Sequence, residues 1–274
     1  MRAELASFAQ LVDLRVGSAT HRGMRRQVNE DSLLAVPHVY VVADGMGGHS
    51  AGDLASAIAV EEMRGLAALN AEPADVDRVL DRANTRVRAL GEAGTTVTGV
   101  VGVSRAGVPY WLVVNLGDSR VYRLVGQRLD QVSVDHSVVQ ELVDAGQLAP
   151  ADVEHHPERH VVTRAVGAPA ALEADYWLLP AVPGERLLLC SDGLTIEVGE
   201  DALRIALVGN PDPQAAADSL VELALQGGGR DNVTAIVVDV EAVTAAVDGG
   251  PPPSPGRTRP DIDDTQPRMS AGVL

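Results

Sequence analysis

Leu187-Leu188-Leu189-Cys190-Ser191-Asp192-Gly193 is an apolar run that ends in a carboxylate. Consecutive leucines read as a strand buried on both faces. A carboxylate at the end of such a strand loses hydration unless something cationic replaces it. The arrangement recurs. Val41-Val42-Ala43 leads into Asp44-Gly45-Met46-Gly47-Gly48-His49, Val113-Val114-Asn115-Leu116 leads into Gly117-Asp118-Ser119-Arg120, and Asp231 stands in Gly228-Gly229-Arg230-Asp231-Asn232. Four lone carboxylates in one domain are costly without a shared cation, and hard divalent metals with oxygen ligands account for them most economically.

Outward from these stretches, strands and helices alternate irregularly. Val39–Ala43 reads as a buried strand, 52–69 as an Ala-rich helix, and 76–90 as a second helix with apolar residues at 3–4 spacing. Short β-branched runs at 95–104, 109–115, 119–124 and 127–132, separated by Gly-containing turns, predict antiparallel hairpins. Val138–Ala145 reads as a helix closed by Gly146, followed by a long irregular loop over 147–170. A strand at Arg186–Cys190, helices at 202–208 and 213–226, and a strand at Val233–Val240 complete the reading. The expected fold is α+β, a β-sandwich of two mostly antiparallel sheets flanked by pairs of helices, with the metal site at one end of the sandwich. Residues 1–240 form one continuous globular unit on this reading. The Pro- and Asp-rich tail 241–274, opening on Gly249-Gly250-Pro251-Pro252-Pro253, is expected to be disordered.

Composition narrows the function classes. Among 274 residues, 46% are hydrophobic and only 3% aromatic, so the core is built from Val, Leu, Ala and Ile. A net charge of −16 and a pI near 4.7 argue against nucleic acid as a partner, because phosphate backbones repel such a surface. The single cysteine, Cys190, excludes an intramolecular disulfide and disfavours thiolate zinc sites. With no signal segment and no apolar stretch near 18 residues, the expectation is a cytoplasmic protein without membrane association, and a monomer.

The chemistry starts at Arg26-Gln27-Val28-Asn29-Glu30-Asp31-Ser32, where two adjacent carboxylates follow an arginine. Such a segment can serve a metal and an anionic substrate together, or be a plain solvated turn. Oxygen ligands without cysteine favour Mg²⁺ or Mn²⁺. Two such ions about 4 Å apart can generate a hydroxide at neutral pH and polarise a phosphoryl oxygen, while an arginine clamps the remaining phosphate oxygens. The residues alone reach metal-assisted hydrolysis of a phosphate ester and no further.

The ordered set Arg26 to Asp31, Asp44 to His49, Gly94 to Thr96, Asn115 to Arg120, Asp135 to Ser137, Ser191 to Leu194 and Asp231 to Thr234 resembles the metal-dependent serine/threonine protein phosphatases, the PPM or type 2C family, over residues 15 to 240. The resemblance implies a β-sandwich flanked by helices, in agreement with the pattern. It implies that Asp44 bridges two metals, that Asp192 and Asp231 bind one of them, and that Glu30 and the Gly45 carbonyl hold the other. Asp118, with Asp192, would contribute to a third, weaker site. Asp31 would orient the attacking water, Arg26 would bind the substrate phosphate, and His49 is the candidate general acid. The implied activity is Mn²⁺- or Mg²⁺-dependent hydrolysis of phosphoserine and phosphothreonine in proteins by a metal-bridging hydroxide. The implied partners are phosphorylated proteins, above all Ser/Thr kinases and their substrates. The loop after Ser137 matches the family's flap, and His155, His156 and His160 within it read as exposed loop residues. Cys190 reads as a small buried hydrophobe. The competing readings are a phosphoprotein-binding pseudophosphatase, opposed by the intact ligand positions, and a nucleotide hydrolase, opposed by the lack of a P-loop.

Overall fold

A computed structural model describes residues 6–47, 51–169, 172–244 and 256–257. His49 and the tail residues 245–255 and 258–274 lie outside the described residues. In chain order the strands are β1 (Val12–His21), β2 (Asp31–Val36), β3 (Val39–Gly47), β4 (Ala93–Thr95), β5 (Val97–Arg105), β6 (Val108–Leu116), β7 (Arg120–Val125), β8 (Arg128–Gln131), β9 (Asp175–Pro180), β10 (Glu185–Cys190), β11 (Val233–Val243) and β12 (Gly256–Arg257). The helices are α1 (Phe8–Leu11), α2 (Gly52–Met63), α3 (Pro73–Arg88), α4 (Val138–Asp144), α5 (Asp192–Thr195), α6 (Glu200–Gly209) and α7 (Pro213–Gly227). One sheet has the order β1-β11-β10-β7-β8, the other β12-β9-β6-β5-β3-β2 with β4 paired to β3, and every pairing is antiparallel.

Three apolar layers hold these elements together. Alternation along β10 sends Leu187 and Leu189 into the layer between the sheets, with Val42, Val113 and Ile236. Leu188 and Cys190 point the other way, into a layer shared with α6 and α7. The opposite sheet sends Val41, Val101 and Leu112 outward against α2 and α3, which bring Ala55, Ala59, Val76 and Leu80. A strand covered on both faces needs apolar residues at every position, which is why Leu187-Leu188-Leu189 shows no alternation. Each such leucine contributes about 1.5–3 kcal/mol by leaving water. The order helices, sheet, sheet, helices is the expected sandwich.

The expected elements are present, with shifted edges and additions. The helix expected over 52–69 is α-helical only to Met63 and tightens into a 3₁₀ turn over Arg64–Ala68, where Gly65 weakens the α conformation. The last strand runs to Val243, past the expected boundary at 240. The irregular loop 147–170 contains a 3₁₀ turn at Pro150–His155. The additions are α1, β1, β2, β4, β9, α5 and β12, which the sequence pattern does not announce; β12 lies in the tail expected to be disordered. β1 is an edge strand that carries Asp13 and Arg15, and its Gly17 lies under the α7 backbone, where a Cβ would collide with Gln214. Helix α7 comes that close because it starts cleanly: the Asp212 side chain accepts from the Ala215 amide at 2.9 Å and Pro213 occupies the first turn.

Candidate metal centre

The four lone aspartates come from both sheets and meet at one end of the sandwich. Asp44 lies in β3, Asp118 in the turn between β6 and β7, Asp192 at the start of α5 after β10, and Asp231 in the loop before β11. They line one cavity of about 500 Å³ with Arg26, Glu30, Gly45, Thr96, Arg159, His160 and Arg230. Of the sequence-predicted residues, Arg26, Glu30, Asp44, Gly45, Asp118, Asp192 and Asp231 therefore share one wall. Asp31 sits behind it, opposite Asp44 in the β2–β3 register.

Each carboxylate is placed by backbone that small polar side chains hold. The Asp44 amide donates to Thr96 Oγ1 at 2.9 Å, and its carbonyl accepts from Thr95 Oγ1 and the Thr96 amide, both at 2.9 Å. Gly117, at φ +116°, aims the next residue, Asp118; a Cβ there would lie 2.5 Å from Thr96 Cγ2, so the turn admits only glycine. The Glu30 amide donates to Asn232 Oδ1 at 2.8 Å, and Asn232 Nδ2 holds the Arg22 and Val28 carbonyls at 2.9 Å each. The Glu30 carboxylate rests over Gly52, where a Cβ would come within 2.6 Å of Oε1. Asp31 Oδ2 accepts from Ser191 Oγ at 2.8 Å and Thr234 Oγ1 at 2.7 Å, while Oδ1 is buried with no partner.

The electrostatics show an uncompensated negative charge. Burial pushes the Asp44 carboxyl well above the usual carboxylate range, and repulsion from Asp31, Asp192 and Asp118 pushes it further. Asp118 rises to about 8, first by burial and then by Asp192 and Asp135. Asp31 rises to about 7 by burial, against the opposing hydrogen bonds from Thr234 and Ser191. Asp192 is raised by burial and Asp231, and it shares a hydrogen bond with Asp44. Among the described residues, Arg26 is the one cation bonded directly to the set, with Nη2 2.6 Å from Asp231 Oδ2.

These residues fit a hard divalent cation. The donors are all oxygen, the buried Asp31 Oδ1 has no partner, and burial and mutual repulsion raise the carboxyls, which a bound cation would relieve. Among the described residues, no three side chains of His, Cys, Asp and Glu close into a cage for one ion. Asp231 is turned toward Arg26.

Sequence reasoning leaves Thr96, Asn232, Ser191 and Thr234 without roles, although all four are polar residues at strand ends, which is the signal that could find them. It also sets aside the flap. His155 and His160 are exposed as expected and His156 is half-buried. His160 nonetheless lines the cavity beside Arg159. The flap base is pinned by pairing of Ser137 with Val162. Cys190 is fully buried and burial pushes its thiol up to about 12, as a small hydrophobe should behave.

The structure is a four-layered sandwich with a cluster of carboxylates at one end. The chain belongs to the Protein phosphatase 2C family, whose sequence profile matches residues 20–223. It is 37% identical over 240 residues to the serine/threonine protein phosphatase PstP of Mycobacterium tuberculosis, covering 83% of this chain and 45% of that protein. It is 33% identical over 239 residues to the serine/threonine phosphatase stp of Listeria monocytogenes, covering 80% and 93%. The chain thus spans about half the length of the first of these relatives. Its fold is similar to the catalytic domain of a serine/threonine protein phosphatase PstP solved in complex with two manganese ions, with TM-score 0.75, 35% identity, and 84% and 99% of the two chains covered. Among the described residues no helix is long and apolar enough to cross a membrane.

Proposed function

We propose that this chain hydrolyses phosphoserine and phosphothreonine in proteins, with Mn²⁺ or Mg²⁺, and so opposes Ser/Thr kinases. The carrying observation is a cluster of carboxylates, Asp118 buried and Asp44 and Asp192 half-buried, none of which makes an ion pair with an arginine among the described residues, beside an arginine able to meet a phosphate. Asp44, Asp192 and Asp231, with Glu30 and the Gly45 carbonyl, would hold two divalent ions, and Asp118 with Asp192 would serve a weaker third site. Such ions polarise a phosphoryl oxygen and acidify the attacking water.

The chain's own residues do the rest. Arg26 is half-exposed at the cavity wall, where its guanidinium can exchange Asp231 for two phosphate oxygens in a bidentate clamp. Asp31 would orient the attacking water, with Ser191 and Thr234 fixing its Oδ2. Donation of a proton to the leaving serine or threonine oxygen is assigned to His49. Relatives named as protein phosphatases and the manganese-containing neighbour support this reading.

The test is phosphate release from a phosphothreonine peptide by metal-stripped protein titrated with Mn²⁺, with Asp192→Ala alongside. Turnover that requires Mn²⁺ and is lost in the variant is expected. A folded protein with no turnover at any Mn²⁺ concentration would instead be a non-catalytic phosphoprotein binder.

A further inference from the structure

The chain carries 22 basic residues against 38 acidic ones, and every basic residue is arginine. Acid is so abundant that most described arginines hold a carboxylate. Among the described side chains only Arg22, Arg25, Arg64, Arg88 and Arg159 make no ion pair, and all five are exposed. One of these five, Arg159, lines the carboxylate cavity, and two more lie on the loop that carries Arg26, itself a lining residue. Arg22 and Arg25 flank the phosphate-facing Arg26 on a loop packed against the loop that carries Asp231, with the Met24 amide donating to the Gly229 carbonyl at 2.7 Å. Arg22 Nη1 donates to the Arg26 carbonyl at 3.0 Å, which keeps its guanidinium over that loop. Arg25 is near enough to Glu197 to help Arg230 hold that carboxyl below the usual range. Glu197 and Arg159 in turn both line a second cavity of about 500 Å³, which shares Asp118 and Asp192 with the first.

A floor of carboxylates and a surface of net charge −16 repel an acidic peptide. Arginines that make no ion pair place positive charge beside that floor, where a substrate chain can meet it. Guanidinium groups suit the task because their planar donors match both carboxylate and phosphate. Resting on the phosphatase reading above, we propose that these arginines form a recognition site for a second anionic group on the substrate. The preferred substrates are phosphopeptides with a carboxylate or another phosphoryl group flanking the residue to be hydrolysed, and Arg22, Arg25 and Arg159 contact that group.

The experiment compares kcat/KM of the full chain with Mn²⁺ for phosphothreonine peptides of one length flanked by Glu, by Ala, by Arg, or by a second phosphothreonine. Each value is normalised to p-nitrophenyl phosphate, which has no flank, measured with the same variant. The native protein should favour the Glu-flanked over the Ala-flanked peptide by about fivefold, the scale of an exposed ion pair, and the preference should shrink as salt rises. Arg25→Ala combined with Arg159→Ala should bring the two peptides to near parity, while Arg25→Lys keeps part of the preference. A gain with the doubly phosphorylated peptide alone would assign the site to phosphoryl groups, and a gain with both peptides to anions generally. Equal rates for all flanks, a preference for Arg flanks, or a preference that survives the double variant would overturn the proposal while p-nitrophenyl phosphate is still hydrolysed. Hydrolysis of no substrate at all would overturn the phosphatase reading, and the proposal with it.

Discussion

Buried carboxylates occur in two regions of this molecule, and they are treated oppositely. At the start of β10, the Glu185 carboxylate is fully buried but accepts from Trp111 Nε1 at 2.9 Å, the Val182 amide at 3.0 Å and Arg123 Nε at 2.6 Å. Burial raises its pKa, and Arg123 and each hydrogen bond oppose the rise. One strand over, Asp239 is gripped by Arg186, which also donates to the Leu207, Asn210 and Pro211 carbonyls at the end of α6. At the other end of β10, Asp44 makes no ion pair among the described residues, and burial and its carboxylate neighbours Asp31, Asp192 and Asp118 push it up together. The chain therefore neutralises a buried acid wherever the acid serves only the fold. The acids it leaves uncompensated are the ones that a cation from outside would complete.

Removing a charge at each end should separate the two roles. Asp44→Asn is expected to lower phosphate release by about a thousandfold or more, because a carboxylate proposed to hold the ions is gone. The same change should raise the thermal midpoint of metal-free protein by about 2–4 °C, the response to relief of about 1 kcal/mol of repulsion. A lower midpoint in the metal-free state would mean that the carboxylates are not strained. Arg123→Ala tests the other end. It strands the Glu185 charge in the core and should cost about 3–5 kcal/mol in denaturant unfolding, while the Mn²⁺ concentration for half-maximal activity in the folded fraction stays unchanged.

A pH series sharpens the contrast with a smaller effect. Asp31 and Asp118 sit at about 7 and about 8 in the metal-free fold, against roughly 3.9 in the unfolded chain. The folded state then holds protons that the unfolded chain has released. This contribution to stability is complete below roughly pH 4 and is lost as pH rises through 7 to 8. Thermal midpoints of metal-stripped protein should fall across that window, and saturating Mn²⁺ should flatten the fall. Midpoints that instead rise across the same window would count against the raised carboxyls.

The same contrast decides which parts of the molecule are legible in the sequence. Asp44, Asp118 and Asp192 stand out because a charge next to apolar strand residues is costly unless a cation joins it, and β3, β6 and β10 stand out because two-sided burial gives each a continuous apolar run. β1 does not, because its edge position admits Asp13 and Arg15 and its contact with α7 demands Gly17 in place of a β-branched residue. β2 starts with Asp31-Ser32, whose polarity belongs to the site, so the strand signal is diluted where the function is densest. Arg159 and His160 escape because they are exposed and reach the cavity only through the path of the flap, which no local spacing encodes. Asn232 and Thr96 act through backbone contacts with residues distant in sequence, Glu30 and Asp44, which only the assembled sandwich brings together.

The most direct test of the central claim is calorimetric titration of metal-stripped protein with Mn²⁺ at neutral pH, in two buffers of different ionisation heat, for the native chain and Asp192→Ala. The account predicts at least two ions bound, with protons released as the carboxyls exchange hydrogen for metal, and a loss of sites in the variant. Binding without proton release, or identical binding in both proteins, would contradict it.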